Sequence, residues 1–129
     1  MTKTSVARNQ ISEINTGTSK LLDVIINSIE EKNGHEIKCL NLKNVDSAIS
    51  DYFVICHGNS NTQVSAIANF IEREVKEKLN VGPFHTEGHE NEEWILLDYF
   101  DVIVHIFHEE KRSFYQIEEL WADANPMQL

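Results

Sequence analysis

The sequence predicts an α/β (α+β) fold, a mixed β-sheet flanked by helices in the order α-β-β-α-β-β-α. Three stretches carry this reading. Val64, Ile67, Ala68, Ile71, Val75 and Leu79 recur at helical spacing and mark an amphipathic helix over residues 60–79. Asp51-Tyr52-Phe53-Val54-Ile55-Cys56-His57 is dense in aromatic and β-branched residues, as strands are. Residues 94–107 read as two antiparallel strands meeting at the acidic turn Asp98-Tyr99-Phe100-Asp101.

The remaining elements follow in chain order. Residues 1–17, rich in Thr, Ser, Asn and Gln, read as a flexible tail ahead of one domain over residues 18–125. Thr18 or Ser19 caps a first helix whose apolar face is Leu22, Ile25, Ile26 and Ile29. Asn33-Gly34 ends it, with Gly taking the left-handed conformation. Residues 37–42 form a strand and residues 43–50 a polar connection. Ser60-Asn61-Thr62-Gln63 is a capping box, in which the hydroxyl and the amide side chain satisfy free backbone N–H groups at the helix start. Helix 60–79 joins strand 51–57 to strand 94–98 as a crossover, right-handed if those strands are parallel. Residues 80–91 form a loop. A last helix starts near Lys111 and sets Phe114, Ile117, Trp121 and Ala124 on one stripe. Pro126 stops it, leaving residues 126–129 as a tail.

At 129 residues the chain is long enough for one hydrophobic core. Lys+Arg 11 against Asp+Glu 21 gives a net charge of −10. That balance opposes direct, specific gripping of nucleic acid and suits a basic partner or solubility. Cys39 and Cys56 lie inside apolar runs, as buried reduced thiols do, which points to the cytoplasm. No apolar stretch is long enough for a membrane, and the N-terminus shows no secretory signal.

The hairpin is sided. If Asp98 pairs with Asp101, alternation puts Ile95, Leu97, Val102, Val104 and Ile106 on one purely apolar face. Trp94, Leu96, Asp98, Asp101, Ile103, His105 and Phe107 share the other face, with Trp94 opposite His105. Such a mixed face suits recognition better than burial, with Trp94 as an interface anchor. Tyr-Phe is poor chemistry for a two-residue turn, where positive φ favours Gly or Asn.

Other chemistries are weaker. His85, Glu87 and His89 alternate in an extended segment, yet no helical His pair or Cys pair has zinc spacing. An exposed loop with ordinary histidines is the preferred reading, with no metal and no cofactor. Asp98 and Asp101 are a possible acid–base or cation pair, but Asp is common in turns. Gly58-Asn59-Ser60 between a strand and a helix is like the Gly-Ser turn of nucleotidyltransferases. Those enzymes also need carboxylates at i, i+2 on the next strand, where Trp94, Leu96 and Asp98 supply one only. No catalytic residue is assigned. A nucleotidyltransferase-like or metal-dependent phosphotransfer enzyme is the alternative.

Read in order, Asp51-Tyr52-Phe53-Val54-Ile55, Gly58-x-Ser60, Gln63-Val64, Glu87-Gly88, Trp94 to Tyr99, Asp101 to Phe107, Arg112-x-Phe114-Tyr115 and Glu119-Leu120-Trp121-x-Asp123-Ala124 resemble the ribosomal silencing factor (Iojap) family. The resemblance spans about residues 19–124. It implies a nucleotidyltransferase-like fold without catalytic carboxylates and a non-enzymatic translation repressor. It further implies binding to the fourteenth large-subunit ribosomal protein, a block on subunit joining, and help in large-subunit maturation. Homodimerisation off the ribosome is compatible with it. The family's Trp-x-x-x-Asp and Asp-x-x-x-His motifs fall on Trp94, Asp98, Asp101 and His105. With Leu96, Tyr99 and Phe100 these form the expected partner-binding set. Phe100 stands where the family commonly has Gly.

Overall fold

A computed structural model describes residues 16–45, 48, 50–115 and 125–127. The elements are α1 (Thr16–Glu31), β1 (His35–Asn41), β2 (Tyr52–Gly58), α2 (Asn61–Leu79), β3 (His85–Glu87), β4 (Trp94–Asp98), β5 (Val102–His108), α3 (Glu109–Tyr115) and β6 (Asn125–Met127). The strands form one sheet in the order β3-β4-β5-β2-β1-β6. β2 and β5 are parallel; every other neighbouring pair is antiparallel. This is the expected mixed α+β architecture with two short edge strands added.

Helix α2 starts as its sequence requires. Ser60 Oγ accepts from the Gln63 N–H (3.1 Å), and Gln63 Oε1 accepts from the Asn59 N–H (2.7 Å). Gln63 Nε2 also donates to the carbonyls of Lys32 and Asn33, at 3.2 and 2.9 Å, fastening the start of α2 to the end of α1. Asn80, at φ 58°, closes α2 in the left-handed conformation.

The end of α1 differs in one detail from expectation. Asn33, at φ 60°, holds the left-handed position. Its N–H reaches the Glu30 carbonyl, and the Gly34 N–H reaches Ile29 O at 2.8 Å, which is a Schellman motif. Gly34 matters for closeness: a Cβ there would collide with the Ile29 side chain.

Two apolar layers cover the sheet. Leu22, Ile25, Ile26 and Ile29 of α1 join Val64, Ile67, Ile71 and Val75 of α2 over Val54, Cys56, Ile95, Leu97, Val104 and Ile106. The opposite face holds Leu40, Leu42, Phe53, Ile55, Ile103 and Phe107, with Trp94 and Leu96 packed at its border. The buried thiols of Cys39 and Cys56 are free, and burial pushes each up to about 12, so neither is a reactive thiolate.

Four expectations are corrected here. Helix α1 begins at Thr16, so Thr18 and Ser19 lie within it rather than capping it, and the tail expected to reach residue 17 gives way to helix at residue 16. The crossover does not join parallel neighbours: β5 inserts between β4 and β2, so β4 runs antiparallel to β2. The loop 80–91 contains β3, which pairs with β4. Pro126 lies in strand β6, with Leu40 as its register partner, where a tail was expected. A proline is tolerated there because β6 is an edge strand. The last helix is described from Glu109 to Tyr115; Ile117, Trp121 and Ala124 lie outside the described residues, as does the segment 1–15.

Gly88 carries a steric demand. Its φ is +90°, and a Cβ would strike the Trp94 carbonyl oxygen. Gly88→Ala is therefore expected to lower unfolding free energy by more than about 1 kcal/mol. Leu97→Ala, in a fully buried position, should cost about 2–5 kcal/mol. Urea denaturation of both variants checks this; a Gly88→Ala midpoint equal to wild type would show that the 88–94 approach is not needed.

Candidate functional site

The β4–β5 hairpin places the candidate residues. Its register pairs Trp94 with Phe107, Leu96 with His105, and Asp98 with Ile103. The expected pairing of Asp98 with Asp101 is thus off by two residues, and Trp94 faces Phe107 directly rather than His105. A slip of two preserves the faces, so Ile95, Leu97, Val102, Val104 and Ile106 do lie in the helix-covered core.

The slip arises at the turn. Tyr99 N–H donates to Val102 O (2.8 Å), and Asp101 N–H donates to Tyr99 O (3.0 Å). The second bond spans two residues around Phe100, whose φ is 73°; both are marks of a γ-turn. A bulky residue at positive φ is costly, and glycine would sit there freely. Asp98 Oδ1 accepts the Phe100 N–H at 2.8 Å. Asp101 Oδ2 accepts the Thr18 hydroxyl at 3.2 Å, tying the turn to α1. Both carboxylates therefore work as turn supports.

The expected binding set divides by exposure. Phe100 is 63% exposed, and its ring lies 4.3 Å from that of Phe84, itself 68% exposed. Asp101 is exposed; Trp94, Leu96 and Asp98 are half-buried. Tyr99 and His105 are buried, at 6% and 3% exposure, and cannot meet a partner directly. The mixed face is thus a second core along β5 and a surface only along β4. Phe53 and Ile55 of β2 extend the apolar layer up to it, which hairpin alternation alone does not reveal. Phe84 was missed because it sits in a loop, with no periodicity to mark it. The β3–β4 pairing, extended by the backbone bond from Phe84 N–H to Asp98 O (2.7 Å), brings it to the turn.

Trp94 is held from two sides. Its ring stacks on Phe107 with centroids 4.9 Å apart, and its Nε1–H donates to His105 Nδ1 at 3.1 Å. Burial pushes the His105 imidazole down to about 3, so it is neutral at physiological pH. The Tyr99 hydroxyl is pushed up by burial and by the Glu72 carboxylate.

A second cluster lies at the far end of β2. Arg112 Nη1 donates to His57 Nδ1 at 2.9 Å, so that nitrogen carries no proton. Burial, then Arg112, hold His57 below the usual histidine range. His85 contacts Glu87 at 2.7 Å, while His89 turns away to Glu72 at 3.4 Å. No group of three or more His, Cys, Asp or Glu among the described residues is placed to hold a metal ion. No helix among them is long and apolar enough to cross a membrane.

Residues 15–129 match the family model described as "Ribosomal silencing factor during starvation". The chain belongs to the ribosomal silencing factor family. It is 39% identical over 110 residues to the ribosomal silencing factor RsfS of Halalkalibacterium halodurans, covering 85% of this chain and 92% of that protein. A crystal structure of a protein from Bacillus halodurans superposes with a TM-score of 0.75 at 35% identity, covering 85% of this chain and 98% of that one. A more distant relative is the mouse protein named "Mitochondrial assembly of ribosomal large subunit protein 1", 26% identical over 102 residues, 78% of this chain and 44% of that protein. The silencing factor family is named for a regulatory role, and its fold is the one described above.

The buried histidine gives this silencing factor a pH signature. Above the ordinary value of 6.5, His105 is neutral both folded and unfolded and contributes no slope. Between 6.5 and about 3, only the unfolded chain takes up the proton. Stability is then lost as pH falls, by up to about 1.4 kcal/mol per pH unit. His57, also lowered, acts in the same direction. Urea unfolding at neutral and mildly acidic pH should show this loss, and His105→Phe should shrink it. An unchanged acid slope in that variant would remove His105 as its source.

Proposed function

We propose that this protein represses translation by docking on the large ribosomal subunit, through its fourteenth protein, and sterically blocking the small subunit from joining. The observation that carries this reading is membership of the silencing factor family over residues 15–129. The hairpin supports it with a compact contact surface. Trp94 and Leu96 offer apolar area, Phe100 and Phe84 an exposed aromatic tip, and Asp98 and Asp101 negative charge beside them. Aromatic residues ringed by polar groups are what interface anchors require. Tyr99 and His105 act from inside, shaping the turn and the anchor.

The mechanism needs no bond made or broken. The factor occupies the surface where the small subunit docks and must outlast each docking attempt. It acts in the cytoplasm, where subunits meet, and assists large-subunit maturation. Off the ribosome, the same surface is free to pair with a second copy. No observation favours the phosphotransfer alternative: Ser60 is used in helix capping, and Asp98 and Asp101 in the turn.

Sedimentation with isolated subunits tests the proposal. The protein should travel with large subunits alone and keep small subunits unjoined. Equal binding to small subunits, or normal joining at saturating protein, would overturn it. Trp94→Ala should weaken large-subunit binding by about 2 kcal/mol or more. It should also lower stability somewhat, because Trp94 packs on Phe107. Phe100→Gly should do the reverse to the fold: it relieves the positive φ and removes contact area, so the melting temperature holds or rises while affinity falls.

Charge gives a kinetic test. A protein of net charge −10 meeting a basic ribosomal surface is steered by its field. Association should slow as salt rises and the screening length falls from about 10 Å at 0.1 M to about 3 Å at 1 M. Dissociation should change less. A salt-independent association rate would assign the charge to solubility alone.

A further inference from the structure

His105 sits where a histidine is costly. It lies among Phe53, Ile103 and Phe107, with its ring edge-on to Phe53 at 4.5 Å between centroids. The Trp94 indole is a donor only, so the Nδ1 that receives it is unprotonated. The neutral ring therefore carries its proton on Nε2. That N–H is buried and has no hydrogen-bond partner among the described residues. A buried donor left unsatisfied destabilises a fold, and a phenylalanine of similar shape would not incur that cost.

The ordinary reasons for a histidine do not apply at this position. It does not touch a partner, being 3% exposed. It does not shuttle protons near neutrality, because burial keeps it neutral there. Among the described residues, the one polar contact it makes is with Trp94.

That contact supplies something stacking cannot. Phe107 fixes the plane of the indole at an interplanar angle of 27°, but ring stacking tolerates either edge facing inward. The outer torsion of a tryptophan side chain is broad and roughly two-fold. A directional N–H···N bond selects the orientation with Nε1 facing His105.

We propose that His105 is a positioning residue, whose Nδ1 sets the orientation of the Trp94 indole for docking on the large ribosomal subunit. The proposal rests on the docking function above and on Trp94 as its anchor. It assigns to the Asp101-x-x-x-His105 strand a role in recognition exercised from the core.

The test compares His105→Phe and His105→Asn with wild type and Trp94→Ala. Asn places an amide oxygen close to where Nδ1 sits; Phe keeps the ring and removes the acceptor. The readouts are melting temperature, the Trp94 indole N–H resonance in the free protein, and large-subunit affinity. His105→Phe is expected to stay folded with a melting temperature equal to or above wild type. Its indole resonance should move to the position of an indole without that bond, and affinity should fall about tenfold. His105→Asn should restore both the resonance and most of the affinity. His105→Phe combined with Trp94→Ala should bind no worse than Trp94→Ala alone, because the two residues act as one unit.

Wild-type affinity in His105→Phe, an unmoved resonance, or additive losses in the double variant would each overturn the proposal. Should His105→Phe unfold, His105→Asn decides: native affinity and resonance support the acceptor role, and a folded His105→Asn with lost affinity and a displaced resonance overturns it. If wild type fails to bind large subunits, the docking function and the recognition role fall together. The resonance, measured without ribosomes, then shows separately whether His105 holds the indole.

Discussion

Neither strand of the parallel β2–β5 pair has a face left for water. Every residue of β2 is buried, as are those of β5 from Val102 to Phe107. Burial on both sides is what parallel strands need, and it demands an apolar layer on each face of the sheet. Helices α1 and α2 supply one layer. On the other face, side chains of β1, β2 and β5 pack together with Leu42, Val45 and Ala48 of the β1–β2 connection and with Trp94 and Leu96 at the β4 border. Trp94 and Leu96 therefore belong to two settings at once. Their inner atoms complete a core, and their outer atoms face solvent where that core ends.

This dual setting shapes the turn at the hairpin's end. Since β5 must stay in register with β2, the chain leaving β4 has Tyr99 to Asp101 in which to reverse. It does so with a γ-turn at Phe100, supported by the Asp98 carboxylate and by Thr18 across from Asp101. Positive φ at a phenylalanine stores strain. The surrounding bonds hold it, and the result is an aromatic ring projected into solvent beside Phe84. Glycine would make the turn more easily but would leave Phe84 without its partner.

What was legible in the sequence is what local chemistry determines. The Ser60–Gln63 box, the apolar stripe from Val64 to Val75 and the aliphatic face of the hairpin depend on residues near one another in the chain, and each lies where its pattern places it. The misses are non-local. Three-residue strands such as β3 and β6 carry too few residues for a period, and their partners lie elsewhere in the sequence. The hairpin register depended on a γ-turn that Tyr99-Phe100 does not advertise. The burial of His105 depends on Phe53, a residue 52 positions earlier that its own strand cannot reveal. The family motifs marked the candidate residues; exposure then separated those at the surface from those beneath it.

That separation changes what the motif histidine means. Read along the chain, a Trp and a His at the two ends of a hairpin look like two contacts of one interface. In the fold they form a donor and an acceptor, one at the surface border and one beneath it. The buried His105 N–H, without a partner among the described residues, is a local conflict that stability alone would remove. Conflicts of that kind concentrate where geometry is under a second demand, and here the second demand is the pose of a half-exposed indole. An anchor that arrives already oriented loses less freedom on docking, so part of its affinity is set before any partner is met. The core of this small sheet then does more than hold the surface up: through one hydrogen bond it decides which edge of Trp94 the surface presents.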